Sequence, residues 1–231
     1  MLSVIIPTHN EEKRITPTLR LLSDFLEKKY PAYEIIVVDD GTDATAEIVK
    51  KIGKHDGKIR RLHFPRRLGK GGAIMQGMRT ARGDAVIYDA DSSVPAHEIP
   101  KLVEGLGKAD VAVGSRKLPG SVVRGLPFER KVTSAAFSLL TRILFNTGVR
   151  DTQCGFKAIR RQASKKLLPL LVSRGFEWDV ELLARAKQKG MRILEVPVEW
   201  SHRGGSTLEP KDVWKMFLGL LALRKTLAKS A

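Results

Sequence analysis

Asp89 and Asp91 stand one residue apart at the end of a short apolar run, Ala85-Val86-Ile87-Tyr88. If the run continues as a strand through 91, side chains two apart share a face and the two carboxylates converge. Two anions that close repel each other unless a cation lies between them. A hard divalent ion with oxygen ligands, Mg²⁺ or Mn²⁺, would settle that repulsion and could also hold a diphosphate. A solvated strand end followed by a helix N-cap is the competing reading for an isolated D-x-D, so the other segments must decide. Glu11, Asp39-Asp40 and Ser115-Arg116 likewise follow apolar runs. Further on, Arg116, Lys117, Arg124, Arg130 and Lys131 cluster around a Gly/Pro-rich loop, where guanidinium and ammonium groups suit phosphate.

The elements that must position these groups follow from periodicity. Leu2–Pro7, Glu34–Asp40, Ile59–Phe64, Ala85–Asp91 and Ala109–Gly114 read as strands, each near-continuously apolar, with a further strand over Ile193–Trp200. Helices fall between them: one entered through Thr16 as N-cap and Pro17 as first residue, one ending near Ile52, and one opening at Leu68-Gly69-Lys70-Gly71-Gly72 and running through Met78. Lys131–Phe145 reads as an apolar helix, and Gly175–Leu183 starts another with three acids in its first turns, favourable to the helix dipole. Strands alternating with helices imply a doubly wound, mostly parallel sheet flanked by helices. Ligands of such sheets sit beyond the carboxyl ends of the strands. Glu11, Asp39, Asp91 and Arg116 all fall there, which favours a site over scattered solvated acids.

The 231 residues carry 41 Lys+Arg against 25 Asp+Glu, a net charge of +16 that favours anionic partners. A single cysteine, Cys154, excludes an internal disulfide and a Cys-rich zinc site. Met1–Pro7 lacks the basic start of a signal peptide, and no run reaches the roughly 18 apolar residues of a membrane span. Gly69-Lys70-Gly71-Gly72-Ala73 has neither P-loop nor G-x-G-x-x-G spacing, and the first turn, Thr8-His9-Asn10-Glu11, is not glycine-rich. Both facts disfavour a nicotinamide oxidoreductase. A nucleic-acid binder is disfavoured by the acids at the strand ends and by only 6% aromatics. The histidines (9, 55, 63, 97 and 202) show no zinc-protease spacing and read as surface or loop residues.

Over nearly its whole length the chain resembles the family-two, GT-A type glycosyltransferases, and within them the dolichyl-phosphate sugar synthases. The matching elements are Pro7-Thr8-His9-Asn10-Glu11, Val38-Asp39-Asp40-Gly41-Thr42, Asp89-Ala90-Asp91, Gly114-Ser115-Arg116, Asp151-Thr152-Gln153-Cys154-Gly155-Phe156-Lys157 and Trp178-Asp179-Val180-Glu181-Leu182-Leu183. The last two look most like the dolichyl-phosphate β-glucosyltransferases, with the mannose synthases close behind. The resemblance implies an α/β, Rossmann-like GT-A fold and an inverting transfer of glucose or mannose from UDP-glucose or GDP-mannose to dolichyl or polyprenyl phosphate. A GT-A enzyme with another acceptor is the alternative. It also implies that Pro7, His9, Glu11, Val38, Asp39 and Ala90 line the nucleotide, with Asp39 on the base. Asp89 and Asp91 would hold Mg²⁺ or Mn²⁺. Arg116, Arg130, Lys131, Gln153 and Arg203 would meet phosphate or acceptor, and Asp151 and Asp179 would position sugar hydroxyls. Residues 1–116 would form the nucleotide-sugar half and 117–210 the acceptor half of one catalytic domain. Two departures stand out: Thr42-Asp43-Ala44-Thr45 where the family usually carries serine and glycine, and no C-terminal membrane helices of the kind some relatives carry.

An enzyme of this kind must reach a lipid-embedded phosphate. Over 211–231 a helical wheel places Val213, Met216, Phe217, Leu220, Leu223 and Leu227 on one face. Lys211, Lys215, Lys225 and Lys229 gather opposite, with Trp214 at the boundary. This pattern fits a helix lying in an anionic headgroup plane, or one packed on the domain. The expectation is a peripheral protein on the cytoplasmic face of a membrane, its apolar 131–145 helix sharing the contact.

Overall fold

The computed structural model describes residues 1–203 and 210–228; of residues 128–133, 136, 210–217 and 228 only the backbone is described. In chain order the elements are β1 (Leu2–Thr8), α1 (Ile15–Lys29), β2 (Tyr33–Asp39), α2 (Thr45–His55), β3 (Ile59–His63), α3 (Lys70–Thr80), β4 (Asp84–Ile87), α4 (Ile99–Leu106), β5 (Val111–Ser115), β6 (Val122–Arg124), α5 (Phe128–Phe145), β7 (Lys157–Ile159), α6 (Arg161–Leu167), α7 (Trp178–Gln188), β8 (Ile193–Pro197), β9 (Glu199–Ser201) and α8 (Pro210–Ala228).

Seven strands form one sheet in the order β3-β2-β1-β4-β7-β5-β8, all parallel to their neighbours except β7. Because side chains alternate across a strand, Val4, Ile6, Ile35 and Val37 face one way and Ile5, Ile36 and Val38 the other. The first set buries against Leu19, Leu22 and Leu26 of α1, Val49 of α2 and Leu102 of α4. The second packs on Ile74 and Met78 of α3, Leu167 of α6, and Trp178 and Leu182 of α7. Each fully buried Leu or Ile side chain contributes about 1.5–3 kcal/mol, so both faces need their helices.

Four details differ from the sequence reading. The Asp89 strand ends at Ile87, not Asp91. Tyr88 N still donates to Ile5 O, but Ser92 N then folds back on Asp89 O and Ser92 takes a left-handed φ of 51°. Asp89 and Asp91 therefore flank a turn, and their proximity does not come from strand alternation. Helix α1 begins at Ile15, because Arg14 N and Ile15 N both donate to Glu11 O and close the first turn early. Pro17 is accommodated in that turn, where its missing N–H costs nothing. The 193–200 strand breaks at Val198, and β9 leaves the main sheet to pair with β6 in a small one. Finally, the segment after Gly155 inserts antiparallel between β4 and β5, which a parallel pattern does not foretell.

Helix α8 packs on the domain. Leu220, Leu223 and Leu227 are buried with Val180 and Ala184 of α7, against Phe137, Leu140, Leu144 and Phe145 of α5. That half of the expected membrane face is core. Val213, Trp214, Met216, Phe217, Lys211, Lys215 and Lys229 lie outside the described side chains. Among the described residues of these two helices, the large apolar side chains left exposed are Leu218 and Leu221 on α8 and, on α5, Leu139 (59%) and Ile143 (68%).

Candidate active site

The carboxyl ends of β1, β2, β4 and β5 gather the predicted residues along one edge of the sheet. At β2, the register sets Thr8 beside Asp39 and Asp39 beside His63. Asp39 is fully buried. Thr8 Oγ1 donates to its Oδ1 at 3.0 Å, and His63 Nδ1 lies 2.9 Å from its Oδ2. Asp40 accepts from the backbone N–H of Leu68 (2.6 Å) and Gly69 (3.1 Å), and His9 Nδ1 sits 2.8 Å from its other oxygen. His9 and His63 thus have carboxylate partners, a role that their spacing did not signal. Asn10, at φ 59°, accepts from Thr42 N and Asp43 N. Gly41 is required there, since a Cβ would stand 2.6 Å from Asn10 N. Pro7 pairs in register with buried Val38, and Ala90 O accepts the Thr18 hydroxyl at 2.7 Å. Glu11 closes on Arg14 at 2.6 Å, yet burial outweighs that cation and raises its pKa.

Lys70 at the start of α3 reaches across to the D-x-D turn. Its Nζ donates to Asp89 Oδ1 at 2.8 Å. Burial opposes ionisation of both groups, but their mutual attraction prevails: Asp89 is held below the usual carboxylate range and the Lys70 ammonium is raised, with Asp179 adding to it. Gly155 makes the approach possible, for a Cβ there would meet Asp89 Oδ2 at 2.5 Å and Lys70 Nζ at 2.7 Å. Asp91 uses Oδ1 to cap Ser93 N at 2.9 Å. The second oxygen of each carboxylate has no hydrogen-bond donor among the described residues. A partly exposed pair of hard oxygen donors fits a Mg²⁺- or Mn²⁺-type ion. Lys70 was missed as a site residue; its only sequence signal was its place in the glycine turn.

At β5, Arg116 is committed to Asp151. Its Nε and Nη2 donate to the two carboxylate oxygens at 2.8 and 2.9 Å, its backbone N–H adds a third bond at 3.0 Å, and its guanidinium lies 5.5 Å from the Trp200 ring. Against the cost of burial, this fork lowers the Asp151 pKa. The expected free guanidinium for phosphate is therefore an ion pair that shapes the 151–157 loop. Glu195 holds the same loop through the N–H groups of Arg150 and Asp151. Asp179 also differs from expectation: it is buried and paired with Lys157, whose ammonium donates as well to Thr152 O and Cys154 O. The bond to Lys157 uses Oδ1, and the Asp179 charge also bears on Lys70. Gln153 Nε2 donates to Phe176 O at 3.3 Å, and Arg203 is exposed at the end of the small sheet. The side chains of Arg130 and Lys131 lie outside the described residues.

A mostly parallel sheet with a turn-borne D-x-D and the buried Asp39 on its carboxyl edge is the arrangement of a glycosyltransferase of the GT-A type. Residues 3–168 match the family model for glycosyl transferase family 2, and the chain belongs to that family. It is 38% identical over 213 residues to the glycosyltransferase AglD of Haloferax volcanii, covering 90% of this chain but 34% of that protein. Hence it spans about a third of that relative. It is 34% identical over 241 residues to the dolichyl-phosphate beta-glucosyltransferase of Mus musculus, covering 96% of this chain and 74% of the relative. The crystal structure of glucosyl-3-phosphoglycerate synthase from Mycobacterium tuberculosis with Mn²⁺, UDP and glucosyl-3-phosphoglycerate has the same fold: TM-score 0.71, 20% identity, 98% of this chain and 79% of that one covered.

Proposed function

We propose that this protein transfers glucose, with inversion, from UDP-glucose to a dolichyl or polyprenyl phosphate. The observation that carries the reading is the convergence of Asp39, the Lys70–Asp89 pair and Asp91 on one edge of the sheet. Glucose, in preference to mannose, which the sequence placed close behind it, is supported by the names of relatives 34–35% identical over most of the chain. UDP is supported by the solved neighbour.

In this reading residues 1–116 bind the nucleotide sugar, with Asp39 on the base, and residues from 117 onward bind the acceptor. Asp89 and Asp91 hold a divalent cation, which would neutralise charge developing on the departing diphosphate. Lys70 holds Asp89 in place and brings a second cation to the same spot. The acceptor phosphate is already an anionic nucleophile near neutral pH, so no strong base is needed. This fits the commitment of Asp151 to Arg116 and of Asp179 to Lys157. In the same reading the acceptor end meets an anionic membrane surface on the cytoplasmic side, supported by the exposed apolar residues of α5 and α8 and by the +16 charge.

A donor panel with a short polyprenyl phosphate and Mn²⁺ tests this. UDP-glucose should be turned over and GDP-mannose should not. Transfer from GDP-mannose alone, or no transfer to a lipid phosphate, overturns it.

A further inference from the structure

The short helical turn Ala96–Glu98 and strand β9 bring a histidine and two glutamates together, apart from Asp89 and Asp91. His97 Nε2 lies 3.6 Å from Glu98 Oε1 and 3.9 Å from Glu199 Oε1. One ligand atom from each of the three residues lies within 4.8 Å of the others. Glu98 is only 1% exposed, and its Oε2 has no hydrogen-bond partner. Lys101 Nζ meets Oε1, the oxygen nearer His97, at 2.7 Å, so an ion held here takes the bare Oε2 or displaces that ammonium. A buried carboxylate oxygen without a donor is unfavourable unless something cationic reaches it.

We infer that His97, Glu98 and Glu199 form a second metal site, one for a zinc-like transition-metal ion. An imidazole nitrogen with two carboxylates is a borderline donor set that suits zinc, whereas Asp89 and Asp91 offer oxygens only. A tetrahedral zinc with bonds of about 2.0–2.2 Å holds its ligand atoms about 3.3–3.6 Å apart. The separations of 3.6 and 3.9 Å from the imidazole, with all three ligand atoms within 4.8 Å of one another, close to that span by rotation of His97 and Glu199, whose side chains are 59% and 40% exposed. Water completes the fourth position. The ion would tie the segment following the Asp91 turn to β9, two pieces already joined by Ser201 N donating to Ser93 O at 2.8 Å. Since β9 leads directly to Arg203, the site would brace the acceptor-side rim against the D-x-D turn.

The test is calorimetric titration of zinc chloride into tag-free Asp91→Asn protein, in which the proposed catalytic metal site is disabled. One zinc per chain should bind. His97→Ala and Glu199→Gln, in the same background, should each weaken binding by at least about tenfold, or 1.4 kcal/mol. Without zinc, neither should move the melting temperature. Absorption spectroscopy at the zinc edge should show nitrogen and oxygen neighbours and no sulfur. No zinc binding, an affinity unchanged from the parent in either variant, or a sulfur neighbour from Cys154 would each overturn the assignment. The result is independent of donor and acceptor identity.

Discussion

The ammonium of Lys70 lies 2.8 Å from Oδ1 of Asp89, and the missing side chain of Gly155 is what lets them meet. One carboxylate of the D-x-D turn thus already has a fixed cation beside it, while Asp91 depends on whatever else enters. The two acids are therefore not equivalent. Asp89 is positioned by α3 and the 151–157 loop, and Asp91 by its own turn through Ser93.

Chelation should abolish transfer, and added Mn²⁺ should restore it. Asp91→Asn should remove activity while shifting the melting temperature by no more than the 2–4 °C that about 1 kcal/mol produces in a chain of this size. An Asp91→Asn protein as active as the parent would sink the metal assignment.

Gly155→Ala should act on the site more than on the fold. The added Cβ meets only the ends of two flexible side chains, Asp89 and Lys70, which can swing aside at small cost in stability. Their pairing is lost, and a charge-assisted bond contributes about 1.5–3 kcal/mol. Activity should fall roughly ten- to a hundredfold, with the thermal transition nearly unchanged. Lys70→Met should give a similar loss by removing the cation itself.

Arg116 and Asp151 should behave as one unit. Arg116→Ala leaves a buried carboxylate without its fork, a loss of about 3–5 kcal/mol in such pairs, and Asp151→Ala should cost a similar amount. The double variant should cost much less than the sum of the two, read by urea denaturation. The Asp151 pKa is depressed in the fold, so its contribution is complete above the ordinary carboxylate pKa of about 3.9. It is lost as pH falls through the depressed value. Between pH 5 and pH 3, Asp151→Asn should lose less stability than the parent.

Asp179→Ala should likewise be a stability variant. It strands the ammonium of Lys157, which is fully buried among the carbonyls of Thr152 and Cys154. Unfolding free energy should fall by about 3–5 kcal/mol. Normal stability with abolished turnover would instead restore Asp179 to the sugar.

Leu139→Asp and Ile143→Asp should weaken flotation with anionic vesicles, since burying each side chain is worth about 1.5–3 kcal/mol. Raised salt should weaken it further, and UDP affinity should be spared. Truncation after Pro210 should lower the melting temperature, because Leu220, Leu223 and Leu227 leave the core beside α7. Vesicle binding unchanged in both α5 variants would place the membrane contact elsewhere.

The sequence by itself settled the parallel sheet and the edge that carries the site. Continuous apolar strands such as Ile35–Val38 are buried on both faces, and that requirement is written in residue type alone. Asp39, Asp89 and Asp91 were legible because acids at the ends of such strands are locally encoded. What a side chain touches is not. The antiparallel entry of β7 and the hold of Lys70 on Asp89 join residues far apart in sequence, and periodicity carries no record of such pairings. The same holds for Arg116 and Asp179, whose charges read as ligands for a substrate until the fold brought Asp151 and Lys157 against them. For α8, a wheel could identify an apolar face but not its neighbour. Membrane and protein core both accept leucines, and the position of α7 and α5 decided for the core at Leu220, Leu223 and Leu227.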